Sequence, residues 1–190
     1  MFFLDYLDST LKKLKAHTAN ILTLINLSLG GFSILFILKN ELNLGLLLIF
    51  LAALADRFDG MVARKFQIES ELGKQLDSMC DIISFGVAPA LLLYQGIIHE
   101  FGAPGMFFTV FYIGCGAFRL AKFNISDNKG FFVGLPITAA GCLLTLSFLA
   151  IPYVSPQFFI YLIIILSFLM VGTFKLKKYK KTYPLQFESG

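Results

Sequence analysis

The stretch DRFDGMVARKFQIESELGKQLDSMCD, residues 56–81, decides how the whole chain is read. Asp56 and Asp59 are three apart and Asp77 and Asp81 four apart, spacings that put each pair on one face of a helix. A short basic and polar turn separates the pairs, so four carboxylates converge on one helical hairpin. Just upstream, LNLGLLLIFLAALA (Leu42 to Ala55) is too short to cross a bilayer unless its helix continues through Asp56 and Asp59. Asp81 likewise opens a charge-free run that ends near His99. Charged side chains at such depth cost about 2.5–3.5 kcal/mol each on insertion scales, so four together imply a compensating ligand or a water-filled cavity. A divalent cation is the simplest compensation.

Composition agrees with a membrane setting. Of 190 residues, 57% are hydrophobic, only 15% are charged and 22 are phenylalanine, too apolar a balance for an ordinary soluble domain. Cys80, Cys115 and Cys142 stand singly in apolar segments without metal-ligand spacing and read as small buried residues. The opening MFFLDYLDSTLKKLKAH is amphipathic and reads as a helix lying in the membrane interface. Its acids at Asp5 and Asp8 precede its lysines, the wrong order for a cleaved signal peptide.

Six spans follow. The first runs from Ala16 to Leu38, and the second from Leu42 through the acidic motif to about Lys65. The third runs from about Leu76 to Ile98, before a turn in HEFGAPG, with Glu69 and Glu71 left in a hydrated loop and Gly73 easing the turn into the helix. The fourth covers Gly105 to Lys122. Phe131 to Phe174 carries no charged group, is too long for one span, and is divided in two at Pro152 and Pro156. The expected fold is therefore all-α and integral to the membrane: an interfacial helix (residues 1–15), a six-helix catalytic domain (16–174) and a basic tail (175–190).

Lys12, Lys13, Lys15, Arg64, Lys65, Lys74, Arg119, Lys122, Lys129 and the lysines of KLKKYKK fall on one side of this topology, against Lys39 on the other. The positive-inside rule then places both termini and the acidic motif at the cytoplasmic face of the cell membrane. The terminal KLKKYKK reads as an orientation and lipid-headgroup anchor, not as a nucleic-acid site.

Asp56, Asp59, Gly60, Ala63, Arg64, Gly73, Asp77 and Asp81 stand in the order D-x2-D-G-x2-A-R-x8-G-x3-D-x3-D, which resembles the signature of the CDP-alcohol phosphotransferases at all eight positions. Membrane prenyltransferases also hold diphosphate through acidic helices, but on two Asp-rich motifs in separate helical repeats; here Asp59 and Asp77 are only 18 residues apart, on one helical hairpin. The resemblance implies that Asp56, Asp59, Asp77 and Asp81 hold two divalent cations, Mg²⁺ or Mn²⁺, on the diphosphate of a CDP-linked lipid, with Asp81 also placed as the base. Aspartates are hard oxygen ligands suited to either ion. Gly60 and Ala63 leave a small-residue surface for the nucleotide, Arg64 pairs with a phosphate or anchors the helix, and Gly73 either contacts the lipid nucleotide or only packs. Asn20 and Thr23 share a face of the first helix, open either to the nucleotide or to helix-to-helix hydrogen bonds.

A second resemblance concerns the acceptor. SFGVAPALLLY (Ser84 to Tyr94), FRLAKFN (Phe118 to Asn124) and GLP (Gly134 to Pro136) are similar to the phosphatidylserine synthase branch. That branch commonly has arginine at Lys122, so this chain keeps the charge and loses bidentate geometry. The implied reaction moves a phosphatidyl-type group from CDP-diacylglycerol or CDP-archaeol to L-serine and releases CMP, with Arg119, Lys122 and Asn124 at the serine and a homodimer as the assembly. Glycerol 3-phosphate or an inositol phosphate would be the alternative acceptor. A small cation transporter using the carboxylates as an ion site would be a different class.

Overall fold

The computed structural model describes residues 21–66, 71–125, 131–172 and 175–177, without the side chains of Asp59, of residues 62–66 or of the two short strands. The expected interfacial helix, Asn20 and most of the basic tail lie outside the described residues. Helix α1 (Ile21–Leu38) turns at Lys39–Glu41 into α2 (Leu42–Phe66). Asn40 takes φ 65°, a left-handed conformation that asparagine tolerates better than most residues, and so closes the turn in few residues. α3 (Glu71–Asp81), a π-helical segment (Ile82–Val87) and α4 (Ala88–Gly96) form one continuous column. A 3₁₀ turn (Ile98–Phe101) and Gly102 at φ 61° lead into α5 (Ala103–Ile125). Then come strand β1 (Phe131–Val133), α6 (Ile137–Phe148), α7 (Pro156–Val171) and strand β2 (Lys175–Lys177). The described residues thus make six helical columns and one antiparallel ribbon, in which Phe131 faces Lys177 and Val133 faces Lys175.

Two boundaries differ from those expected. The fifth column begins at Ile137, not at Phe131. Gly134 adopts φ +76° and Pro136 is extended, so the chain cannot be helical there. Leu135 N–H donates to Leu169 O at 3.0 Å, tying this corner to the end of α7. A Cβ at Gly134 would stand 2.7 Å from Met170 O and 2.8 Å from Gly172 O. Pro136, with no N–H to lose, caps α6, and the GLP triplet is therefore a docking corner. The third column begins earlier than expected, at Glu71, which is its exposed first residue and complements the positive end of the helix dipole. Gly73 accordingly lies inside the first turn of α3.

The core lies where α4, α5, α6, α7 and the π-helical segment meet, with Phe85, Tyr112, Ile137, Leu144, Phe159 and Ile163 all fully buried. A smaller cluster of Ile37, Ile49, Ala88 and Leu92 joins α1 and α2 to α4. Polarity is distributed against the usual pattern. Asn26, Ser33, Ser84, Thr145 and Ser167 are 0% exposed, whereas Phe107, Val110 and Phe168 are 63–68% exposed. Thr109, Thr145 and Ser167 bond the carbonyl four residues back at 2.8 Å, satisfying their hydroxyls within the helix. An apolar exterior over an apolar core that also holds small polar residues is the packing that a lipid surround permits. The columns α1, α3–α4 and α5 are long and apolar enough to cross a membrane.

Close helix approach rests on missing side chains. A Cβ at Gly30 would run into Ser84 Oγ, one at Gly141 would meet Phe85 O at 2.5 Å, and one at Gly45 would meet Ile37 Cγ1 at 2.6 Å. Gly31, by contrast, faces open space. Gly134→Ala should lower thermal stability in detergent by at least about 1 kcal/mol, because both its φ and its neighbours' carbonyls oppose a side chain. Gly31→Ala should change the melting temperature little, and equal behaviour of the two variants would contradict this account of the corner.

Candidate functional site

Asp56 comes from α2 and Asp77 and Asp81 from α3, and the structure joins them: one carboxylate oxygen of each lies within 4.8 Å of the others. The antiparallel α2–α3 hairpin brings Asp56 opposite the last turn of α3, where the four-residue spacing stacks Asp77 under Asp81. Asp81 is 9% exposed. Asp59 is on the same helix as Asp56, one turn on, and its side chain lies outside the described residues, as do those of Ala63 and Arg64. Gly60 is in α2 and partly buried, and Gly73 is in α3.

The column changes register directly after Asp81. The π-helical segment Ile82–Val87 inserts an extra residue, a device that recurs at functional sites because it re-aims the side chains around it. Its cause is visible in the sequence. Pro89 has no N–H for the carbonyl four residues back, Phe85 O, and the Tyr112 hydroxyl donates to that carbonyl instead at 3.3 Å. Ser84 donates to Asn26 O at 3.2 Å and so locks the segment to α1. SFGVAP is thus a hinge of helix geometry set between the aspartates and the core.

α5 supplies the second wall. Arg119 is half-buried, lies within electrostatic reach of Asp81, and its Nε has no hydrogen-bond partner among the described residues. Lys122 is exposed. Asn124 is engaged with protein: its Nδ2 donates to Ser78 Oγ at 3.0 Å, while Ser78 Oγ also reaches Lys74 O at 3.0 Å. It therefore ties the end of α5 to the residue after Asp77. Thr23 on α1 is buried at 5% exposure. Ser78, Ser84, Asn26 and Tyr112 were not singled out from the sequence. The signal available was a polar residue one helical turn from a motif residue, as Asn26 is from Thr23 and Ser84 from Asp81. The three cysteines are free, Cys80 and Cys115 buried and Cys142 partly so, in keeping with their reading as small packed residues.

The donor set is chemically specific. Three carboxylates from two helices offer hard, anionic oxygens at one point, which fits a magnesium- or manganese-type ion and no soft metal. Residues 16–173 match the CDP-alcohol phosphatidyltransferase family. The chain is 37% identical over 175 residues to the CDP-diacylglycerol–serine O-phosphatidyltransferase of Bacillus subtilis, covering 89% of this chain and 94% of that protein. It is 36% identical over 167 residues to the archaetidylserine synthase of Methanothermobacter thermautotrophicus, covering 85% and 72%. A CDP-diacylglycerol–serine O-phosphatidyltransferase of Methanocaldococcus jannaschii is 38% identical over 159 residues, covering 83% and 72%. A motif carried on one helical hairpin, a bundle that gathers its aspartates and a match across nearly the whole chain agree: the chain belongs to the CDP-alcohol phosphatidyltransferase family.

Proposed function

We propose that the protein is an integral membrane enzyme that transfers a phosphatidyl-type group from a CDP-linked lipid to L-serine, releasing CMP. The observation that carries the chemistry is the convergence of Asp56, Asp77 and Asp81. Serine as acceptor is supported by relatives at 36–38% identity that act as phosphatidylserine or archaetidylserine synthases. Six spans with both termini and the acidic site at the cytoplasmic face agree with the basic residues clustered on that side.

Asp56, Asp59, Asp77 and Asp81 would hold the divalent cations. Bound there, the ions would supply charge neutralisation to the diphosphate and a lowered cost of expelling CMP. The chain's own groups do the rest. Gly60 and Ala63 let the nucleotide lie against α2, Asn20 and Thr23 border it from α1, and Arg64 and Gly73 complete the turn around its phosphates. Arg119, half-buried beside the aspartates, meets the serine carboxylate, with Lys122 at the entrance. Asn124 acts through Ser78, fixing α5 against α3 so that Arg119 keeps its position. In the transfer the serine hydroxyl oxygen forms a bond to the lipid-bearing phosphorus, the bond from that phosphorus to the CMP phosphate oxygen breaks, and the hydroxyl proton passes to Asp81. Two copies assemble in the membrane, as the family resemblance implies.

Purified protein given CDP-diacylglycerol, Mn²⁺ and a panel of alcohols should release CMP with serine; CMP release with glycerol 3-phosphate or an inositol phosphate alone would replace the acceptor, and ion flux without CMP would replace the class. Asp77→Asn should weaken metal-dependent CDP-lipid binding and turnover together, and chelator should reproduce the effect in the parent protein. Asp81→Asn keeps shape and one oxygen ligand, so turnover should fall by about 10²-fold or more while CDP-lipid binding weakens much less. An equal loss of both would make Asp81 a ligand only. For topology, single cysteines near Glu41 on a cysteine-free background should react with an impermeant reagent from outside cells, and ones near Lys12, Ser126 and Lys178 should not.

A further inference from the structure

Asn26 is 0% exposed, and neither its Oδ1 nor its Nδ2 has a hydrogen-bond partner among the described residues. An amide buried with its polar groups unmet is destabilising, a penalty a bundle carries only for a reason.

Two registers locate this amide. Ser33 Oγ bonds Gly45 O at 2.9 Å across the antiparallel α1–α2 hairpin. Asp56 is eleven residues beyond Gly45, about 16 Å along the axis, and Thr23 is ten residues before Ser33, about 15 Å, so the two are level. Asn26 lies one turn deeper than Thr23 on the same buried face of α1, which continues through Gly30 and Ser33. Independently, Ser84 bonds the Asn26 carbonyl, and Asp81 is three residues before Ser84, about 4.5 Å nearer the aspartate level. Side chains on a helix lean toward its N-terminus, so the Asn26 amide leans from the level of Ser84 back toward that of Asp81. Both registers put it at the floor of the aspartate site.

We propose that Asn26 is a substrate-binding residue at that floor, a role that rests on the transferase reading above. An amide offers one acceptor and two donors side by side, and it complements a ligand group with the reverse pattern. Two substrates of the proposed reaction carry such a group: the amino-pyrimidine edge of a cytidine nucleotide, and the ammonium–carboxylate head of serine. The shared chemistry is a paired donor and acceptor delivered one turn below the aspartates.

The test uses full-length protein in detergent with Asn26→Leu, close in size and unable to hydrogen-bond, and Asn26→Asp, the same shape without donors. Melting temperature, CDP affinity with Mn²⁺ by calorimetry, and KM for serine with saturating CDP-diacylglycerol are measured for each. Asn26→Leu is expected to melt at or above the parent temperature, since it removes unmet polar groups from an apolar wall, and to lose about tenfold or more in one substrate parameter. A loss confined to CDP affinity assigns the nucleotide edge, and a rise confined to serine KM assigns the acceptor head. Variants that keep both parameters within twofold, or that melt lower with unaltered substrate parameters, would overturn the proposal and make Asn26 a packing residue. If Asn26→Leu does not fold, Asn26→Asp decides by the same two parameters. Failure of the parent to bind CDP or use serine would sink the transferase reading, a result distinct from any of these.

Discussion

Bringing three carboxylates within 4.8 Å of one another inside a helix bundle is the constraint on which the remaining structure depends. Like charges at that separation repel, and in a medium poorer than water they repel strongly. A flexible hairpin would relieve the strain by splaying, so the two helices must be held from outside. Ser33 fixes α1 to α2 through the Gly45 carbonyl, Ser84 fixes the π-helical segment to α1, and Ser78 with Asn124 fixes α3 to α5. Three serines therefore brace the hairpin from three directions. Each such bond contributes only about 0.5–1.5 kcal/mol net, yet together with the glycine contacts they leave the aspartates no easy retreat.

The π-helical segment links this brace to the core. Phe85 is fully buried, its carbonyl accepts from Tyr112, and it leaves room for nothing larger than glycine at position 141. Tyr112 belongs to the same helix as Arg119, two turns earlier, so the core contact and the acceptor wall share one rigid element. Proline at position 89 thus has a consequence beyond local geometry. By withholding an N–H it creates the acceptor that orients α5 against the aspartate helix.

The convergence of Asp56, Asp77 and Asp81 was legible because carboxylates in an apolar segment are costly and their spacing is periodic. The six columns were legible from charge-free runs. The start of α6 was not, because Phe131–Val133 is apolar and charge alone cannot distinguish strand from span; the positive φ at Gly134 decides it. Nor were Asn26 and Ser84 legible as partners. A buried serine that bonds its own helix, as Ser167 does, and one that bonds a neighbour, as Ser84 does, look identical in a sequence. Asn124, expected at the acceptor, bonds Ser78, a contact not legible in the sequence because a motif fixes which residue is present but not which nearby polar group it meets.

Packing and hydrogen bonds hold the two ends of the bundle in different proportions. Away from the aspartates, a Cβ added at Gly45 would run into Ile37, one at Gly96 would stand 2.8 Å from Phe148 and one at Gly105 would run into Ile98, so that end is closely packed, with the Ser33–Gly45 hydrogen bond beside it. At the aspartate end the ties are polar: the Ser78–Asn124 pair, and the ribbon that joins β1 to β2. Packing contacts of this closeness cannot be loosened without opening voids, whereas a side-chain hydrogen bond can exchange with water or ligand at little net cost. The helices that carry the aspartates are therefore anchored at the far end by packing that leaves no spare volume, and at the near end by a hydrogen-bonded pair next to Asp77. That is the arrangement a transferase needs when one substrate arrives from the bilayer and the other from water.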